Sequence, residues 1–218
     1  MKEHLPLIIA FVASLLLPRI PFVGKFFNII NTALHEFGHA LMALLTNGSV
    51  HRIELFKDTS GTTTTKSNNR FAATLVALAG YPFAASVAWL AFYLIQNGAV
   101  QGFVVGLMVL FVLMLLFWIR NWYGAIWVVL FVGINVFLLY KGNADWLYYA
   151  ALFYAVMILT ESVVSTLTLL LLTLRDSNKA GDSTNLAKFT HVPALIWSLL
   201  FVAYTGWVTY RVVLFLFY

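Results

Sequence analysis

Three ionisable residues fall within five positions of one apolar stretch: His35, Glu36 and His39, in NTALHEFGHALMAL at 31–44. The pentapeptide HEFGH fits H-E-x-x-H. On a helix His35 and His39 lie one turn apart on one face, so both imidazoles can bind one metal ion. Glu36, next to the first histidine, is placed to act as general base on a zinc-bound water, whose pKa the metal lowers to about 7. The bland alternative is a histidine pair packed inside a helical bundle. Three ionisable groups in a membrane helix are costly unless they share a partner, which favours the metal.

A third protein ligand is required, because catalytic zinc sites usually hold three side chains and a water. The chain has no cysteine, so thiolate sites, disulfides and a cysteine nucleophile are excluded. The extended H-E-x-x-H-x-x-G-x-x-H pattern fails, since positions 42 and 45 are Met42 and Leu45. The ligand must then come from elsewhere. Glu54 is the nearest carboxylate that follows. Asp176 and Asp182 lie in the polar stretch 175–190, on the same membrane side as the end of the motif helix. Asp182 reads either as the ligand or as the N-cap of a short helix starting at Ser183, and His191 is the alternative histidine ligand. Glu161 lies inside a predicted span, as a substrate-path residue or paired with a nearby polar group. Asp58, at a turn, and Asp145, in an outer loop, read as solvated.

The elements that must position these residues are membrane helices. Of 218 residues, 62% are hydrophobic and 10% charged, against about half and about a quarter in ordinary soluble domains. Apolar runs predict spans at 5–22, 27–46, 71–96, 100–119, 122–140, 146–174 and 191–217, all helical because helices satisfy their own backbone in lipid. The first reads as a short retained span and not a signal peptide, since Pro18 and Arg19 follow it with no small-residue cleavage site. The expected fold is an all-α polytopic membrane protein with six or seven transmembrane helices, forming one membrane domain over 1–218. Its parts are an N-terminal span (1–26), the motif helix (27–46), a β-hairpin loop (47–70), a helical bundle (71–174), a polar loop (175–190) and a last span (191–217).

The loop 47–70 carries β signals: VHRIELF alternates, DTSG is turn chemistry and TTTT is β-branched. This predicts a small hairpin at the membrane surface. Either VHRIELF or TTTT could receive an extended substrate near Glu36 by β-augmentation, with Arg52, Ile53 and Glu54 as candidate substrate-binding residues; a hairpin that only packs on the bundle is the alternative. Asn185, one helical turn from Asp182, is a further candidate donor to substrate, ahead of Asn121 and Asn135. Trp118, Trp122, Trp127, Trp146 and Trp207 read as interface or lipid-facing anchors.

The net charge is +5, but no basic stripe or nucleic-acid motif accompanies it, so it reads as orientation information. With a cytoplasmic N-terminus, Lys2, Arg52, Lys57, Lys66, Arg70, Arg120, Arg175, Lys179 and Lys188 face the cytoplasm, nine basic residues. Arg19, Lys25, Lys141 and Arg211, four in number, face the other side. The positive-inside rule favours this orientation.

ALHEFGHALMALLTNG, RIELF, SGTTTT, ALAGYPFAAS, RNWYGA and GDSTNLAKFTHVPALIW together resemble the site-two protease class of intramembrane zinc metalloproteases, in a compact bacterial subgroup without a PDZ domain. The resemblance covers about residues 30–197. It implies one catalytic Zn²⁺ held by His35, His39 and Asp182, with Glu36 as base. It implies an endopeptidase of the bacterial inner membrane that cuts membrane-protein or peptide substrates within the bilayer. Two features depart from the wider pattern: Ser183 follows the aspartate where glycine is usual, and Tyr81 stands between the glycine and proline of GYP. A membrane zinc hydrolase without proteolytic activity, or a metal-binding scaffold, is the alternative reading.

Overall fold

The computed structural model describes residues 5–16, 20 and 23–217; Lys2 and Arg19, used above for orientation, lie outside them. Eight helices and one hairpin follow in chain order among the described residues: α1 (Leu5–Leu16), α2 (Val23–Leu45), β1 (Ser49–Leu55), β2 (Gly61–Lys66), α3 (Arg70–Gln96), α4 (Val100–Phe117), α5 (Trp122–Lys141), α6 (Ala144–Arg175), α7 (Gly181–Thr190) and α8 (Ala194–Phe217). Five of these, α3, α4, α5, α6 and α8, are long and apolar enough to cross a membrane. The expected count of six or seven is thus close but high. The described part of the first span is only 12 residues long. The motif helix α2 has 23 residues, but Asn28, Asn31, His35, Glu36 and His39 lower its apolar character.

That polarity is tolerable because α2 is enclosed by protein. Ile29, Ile30, Ala33, Leu34, Ala40 and Ala43 are all completely buried, and α2 packs against α3, α6 and both strands of the hairpin. The α2–α3 contact is close because both faces are built of small residues. On α3, Ala77, Gly80, Ala84, Ala88 and Ala91 recur at helical spacing and are buried. On α2, a Cβ added at Gly38 would come within 2.8 Å of Phe83 Cβ and 3.0 Å of the Ala79 carbonyl. The helix α3 runs unbroken through Pro82.

The hairpin forms as the turn chemistry predicts. Asp58 accepts bonds from the Ser60 backbone N–H and hydroxyl at 3.1 and 2.6 Å; these bonds hold its carboxyl below its ordinary pKa. The strands β1 and β2 pair antiparallel, with Ile53 opposite Thr63 and Leu55 opposite Gly61. The outer edge of β1 is already taken. Ile53 N–H donates to Trp118 O at 2.7 Å and Ile53 O accepts from Arg120 N–H at 3.1 Å. Asn121 then acts as a surrogate strand residue: its Oδ1 accepts from Leu55 N–H at 3.2 Å and its Nδ2 donates to Leu55 O at 2.6 Å. One tryptophan assignment changes as well. Trp127 is buried, donating Nε1–H to Phe26 O at 2.7 Å, whereas Trp122, Trp146 and Trp207 are exposed.

The polar stretch 175–190 folds back onto the bundle. The short helix α7 buries Leu186 in a cluster with Ala77, Leu169 and Phe201. A chain of hydroxyls fixes it from below: Ser198 donates to Ser183 at 2.8 Å and meets Thr173 at 2.6 Å. Thr184 Oγ1 donates to Ser177 O at 2.7 Å and accepts from Ala180 N–H at 3.0 Å. The N-cap of α7 is Ala180 with no capping side chain, and Asp182 already lies in the first turn. Capping is therefore not the role of Asp182.

Candidate metal centre

One metal-capable cluster is present among the described residues: His35, His39 and Asp182. His35 Nε2 and His39 Nε2 are 3.0 Å apart. Asp182 Oδ2 is 3.3 Å from each of them. Two ligand atoms bound at 2.0–2.1 Å to a tetrahedral metal are separated by about 3.3–3.4 Å. The triangle therefore has the size that one small divalent cation requires.

The chemistry of the donors agrees with the geometry. His39 Nδ1 lies 2.7 Å from the Val76 carbonyl, which can only accept. A neutral ring must carry its proton on Nδ1, which leaves the Nε2 lone pair aimed at Asp182 and His35. The Asp182 carboxylate oxygen and the two imidazole nitrogens then converge on one point, an arrangement suited to a cation.

Gly80 makes this packing possible. A Cβ there would lie 2.5 Å from His35 Cε1 and 2.7 Å from His39 Cε1, so the backbone of α3 serves as the floor beneath both rings. Tyr81, the next residue, sets its ring edge-on to His35, with centroids 4.4 Å apart.

Glu36 is buried on the hairpin side of α2. Thr63 Oγ1 donates to Glu36 Oε2 at 2.6 Å and also lies 3.1 Å from Glu36 O. Thr32 Oγ1 donates to Thr59 O at 2.7 Å, and a Cβ on Gly61 would meet Glu36 Cγ at 2.8 Å. The hairpin thus lies directly on the carboxylate beside the cluster. Two cavities flank the centre. One of about 290 Å³ is lined by His39, Asp182, Asn185, Thr63 and Thr65 among others. The other, about 210 Å³, is lined by Asn31, Thr32, His35, Glu36, Gly61, Tyr81 and Ser165.

The remaining candidates lie apart from this centre. Glu54 pairs with Arg52 at 3.2 Å. Asp176 pairs with Lys179 at 3.1 Å. His191 ends α7 in a left-handed conformation, beside the Arg70 guanidinium at 3.4 Å. None of the three joins the cluster. Ile53 is fully buried with both backbone groups engaged as described, so β1 offers no open edge at 52–54. Asn121 is likewise occupied, and Asn135 is buried with its Nδ2 on Phe131 O. Asn185 is the candidate donor that does reach a cavity shared with Asp182. The Val76 carbonyl was not singled out by sequence, and Thr63 and Gly80 only as parts of TTTT and GYP, because their contacts follow from strand register and helix packing.

A family model described as Peptidase M50B-like matches residues 8–212. No curated relative and no solved structure matches the chain.

Proposed function

Because the chain belongs to the peptidase M50B-like family, the site-two protease family of intramembrane metalloproteases, we propose that it is a zinc-dependent endopeptidase acting on membrane-embedded substrates, with Glu36 as general base. The observation that carries this reading is the His35–His39–Asp182 triangle, with edges of 3.0 and 3.3 Å and a buried carboxylate beside it. Bound there, Zn²⁺ supplies Lewis-acid polarisation of water and of the scissile carbonyl.

The chain's own residues do the rest. Glu36 takes the proton of the attacking water and returns it to the leaving amine nitrogen. Thr63 holds Glu36 Oε2, which leaves Oε1 for that proton. Val76 O fixes the His39 tautomer.

A membrane helix hides its amides, so the substrate must be drawn out into an extended form. The outer edge of β2 is suited to receive it. Ile53 and Leu55 send their backbone groups away from β2, towards 118–121. In an antiparallel ladder their partners Thr63 and Gly61 then send theirs to the opposite edge. No backbone bond from Gly61, Thr63 or Thr65 to another element occurs among the described residues. Gly61 lines the cavity holding Glu36, and Thr63 and Thr65 line the cavity holding Asp182. An added strand would pass over the centre from one cavity to the other, with Asn185 beside it. Of the two candidate strands, VHRIELF and TTTT, these bonds favour β2 as the receiver.

The charge distribution favours a cytoplasmic N-terminus and hairpin, in a bacterial inner membrane. The direct test incubates purified protein with model transmembrane-segment peptides, with and without Glu36→Gln. Cleavage by the wild type, lost in Glu36→Gln and on chelation, is expected. Stoichiometric zinc with no cleavage of any peptide would favour the non-proteolytic hydrolase instead.

A further inference from the structure

Tyr81 occupies the position where the chain departs from the wider family pattern, and its surroundings give it a task. Its ring is clamped between two aromatic neighbours: His35, edge-on at 4.4 Å, and Phe201 at 4.9 Å. This fixes the direction of the phenol. Its hydroxyl makes no hydrogen bond to any described residue, nor is it among the sealed, unpartnered polar atoms, which are Asn28 Oδ1, Asn135 Oδ1 and Thr205 Oγ1. Tyr81 lines the 210 Å³ cavity together with His35 and Glu36. The ring thus borders the cavity shared by a histidine of the metal cluster and the candidate base.

A rigid, unpartnered O–H donor in such a place lacks only an acceptor. Glu36 does not accept from it: the side-chain donor to Glu36 is Thr63, on Oε2. The acceptor that hydrolysis would bring into this cavity is the scissile carbonyl oxygen. Other polar groups are less well placed. Asn31 Oδ1 is held by Ser162 Oγ at 2.9 Å, one helical turn before His35, and Asn185 opens onto the other cavity.

Resting on the metalloprotease reading, we propose that Tyr81 is a catalytic residue whose Oη–H donates a hydrogen bond to the carbonyl oxygen as it becomes an oxyanion. Water oxygen bonds to the carbonyl carbon, the C=O π pair moves onto the oxygen, and Glu36 takes the water proton. Tyr81 stabilises that oxygen without giving up its own proton. When the pair returns to re-form C=O, the C–N bond breaks and the nitrogen receives the proton from Glu36. A donor aimed at developing charge in a water-excluded site contributes about 10²–10³ in kcat.

Tyr81→Phe keeps the ring against His35 and Phe201 and removes only the donor. In the zinc-loaded protein, kcat for a quenched-fluorophore transmembrane peptide should fall about 10²-fold, with KM within about twofold. Zinc content and thermal midpoint should be unchanged. A phosphinic pseudopeptide of the same sequence, whose tetrahedral oxygens mimic the oxyanion, should bind about 10²-fold more weakly, while the uncleaved peptide binds Glu36→Gln and Glu36→Gln/Tyr81→Phe alike. Wild-type kcat and wild-type pseudopeptide affinity in Tyr81→Phe would overturn the proposal, as would loss of zinc, which would make the ring a structural support only. Should the wild type itself neither hold zinc nor cleave, the metalloprotease reading fails, a result distinct from either of these.

Discussion

At the scale of single residues, the centre depends on contacts that leave almost no tolerance. Glu36 is buried and accepts from Thr63, and glutamine keeps its shape and an acceptor oxygen, so that exchange should act on chemistry and not on folding. Glu36→Gln is expected to lower peptide cleavage by about 10²–10⁴-fold, with zinc content retained by metal analysis; cleavage at the wild-type rate would remove Glu36 from the mechanism. Gly80 has the opposite profile. A methyl placed 2.5 Å from His35 Cε1 must displace an imidazole or push α3 from α2. Gly80→Ala should therefore destabilise by about 1–3 kcal/mol and weaken zinc binding at least about tenfold, since 1.4 kcal/mol is a factor of ten. Chelator competition and thermal unfolding measure the two effects separately.

At the scale of elements, two short pieces of structure carry the site against the long helices. The hairpin is pinned by a parallel bridge at Ile119 and by the Asn121 side chain, which gives Leu55 both of its strand bonds. Asn121→Ala removes two bonds worth about 0.5–1.5 kcal/mol each and leaves Leu55 unpaired. Faster limited proteolysis at the 56–60 turn is expected, together with slower cleavage of substrate. The helix α7 carries Asp182 and is too short and too polar to hold its place alone. Its anchor is Leu186, completely buried against α3, α6 and α8 residues. Leu186→Ala should cost about 2–5 kcal/mol and, by loosening α7, reduce zinc affinity although no ligand is altered. Unchanged zinc affinity in a folded Leu186→Ala protein would show that α7 is fixed by its hydroxyl contacts alone.

At the scale of the whole molecule, the cluster joins the two ends of the chain. His35 and His39 come from α2, near the start, and Asp182 from α7, near the end. A cation shared between them would bind the folded state and so stabilise it, by about 4 kcal/mol when free metal is a thousandfold above its Kd. Chelation should lower the thermal midpoint and increase hydrogen exchange across 176–193. An unchanged midpoint after metal removal would mean that the cluster adds no link between α2 and α7. The location of α2 has a related logic. A helix carrying two histidines and a glutamate could not face lipid cheaply, and the bundle of α3, α6 and the hairpin encloses it.

The sequence by itself determined the class of molecule and the candidate metal-binding pair. Long apolar runs have one stable outcome in lipid, and H-E-x-x-H puts two imidazoles on one face whatever surrounds them; the DTSG turn between β-branched segments was equally local. The resemblance pointed to Asp182 as the third candidate donor, but only tertiary structure brings it to the histidines. Asp182, Asp176, Glu54 and His191 were all chemically able to serve, and only the docking of α7 brings one of them to within 3.3 Å of both histidines. It also decided which strand edge is open, because Asn121 closes β1 from 66 residues away, and it set Gly80 beneath the rings. These outcomes depend on distances between segments remote in sequence, which no local pattern of residue types encodes.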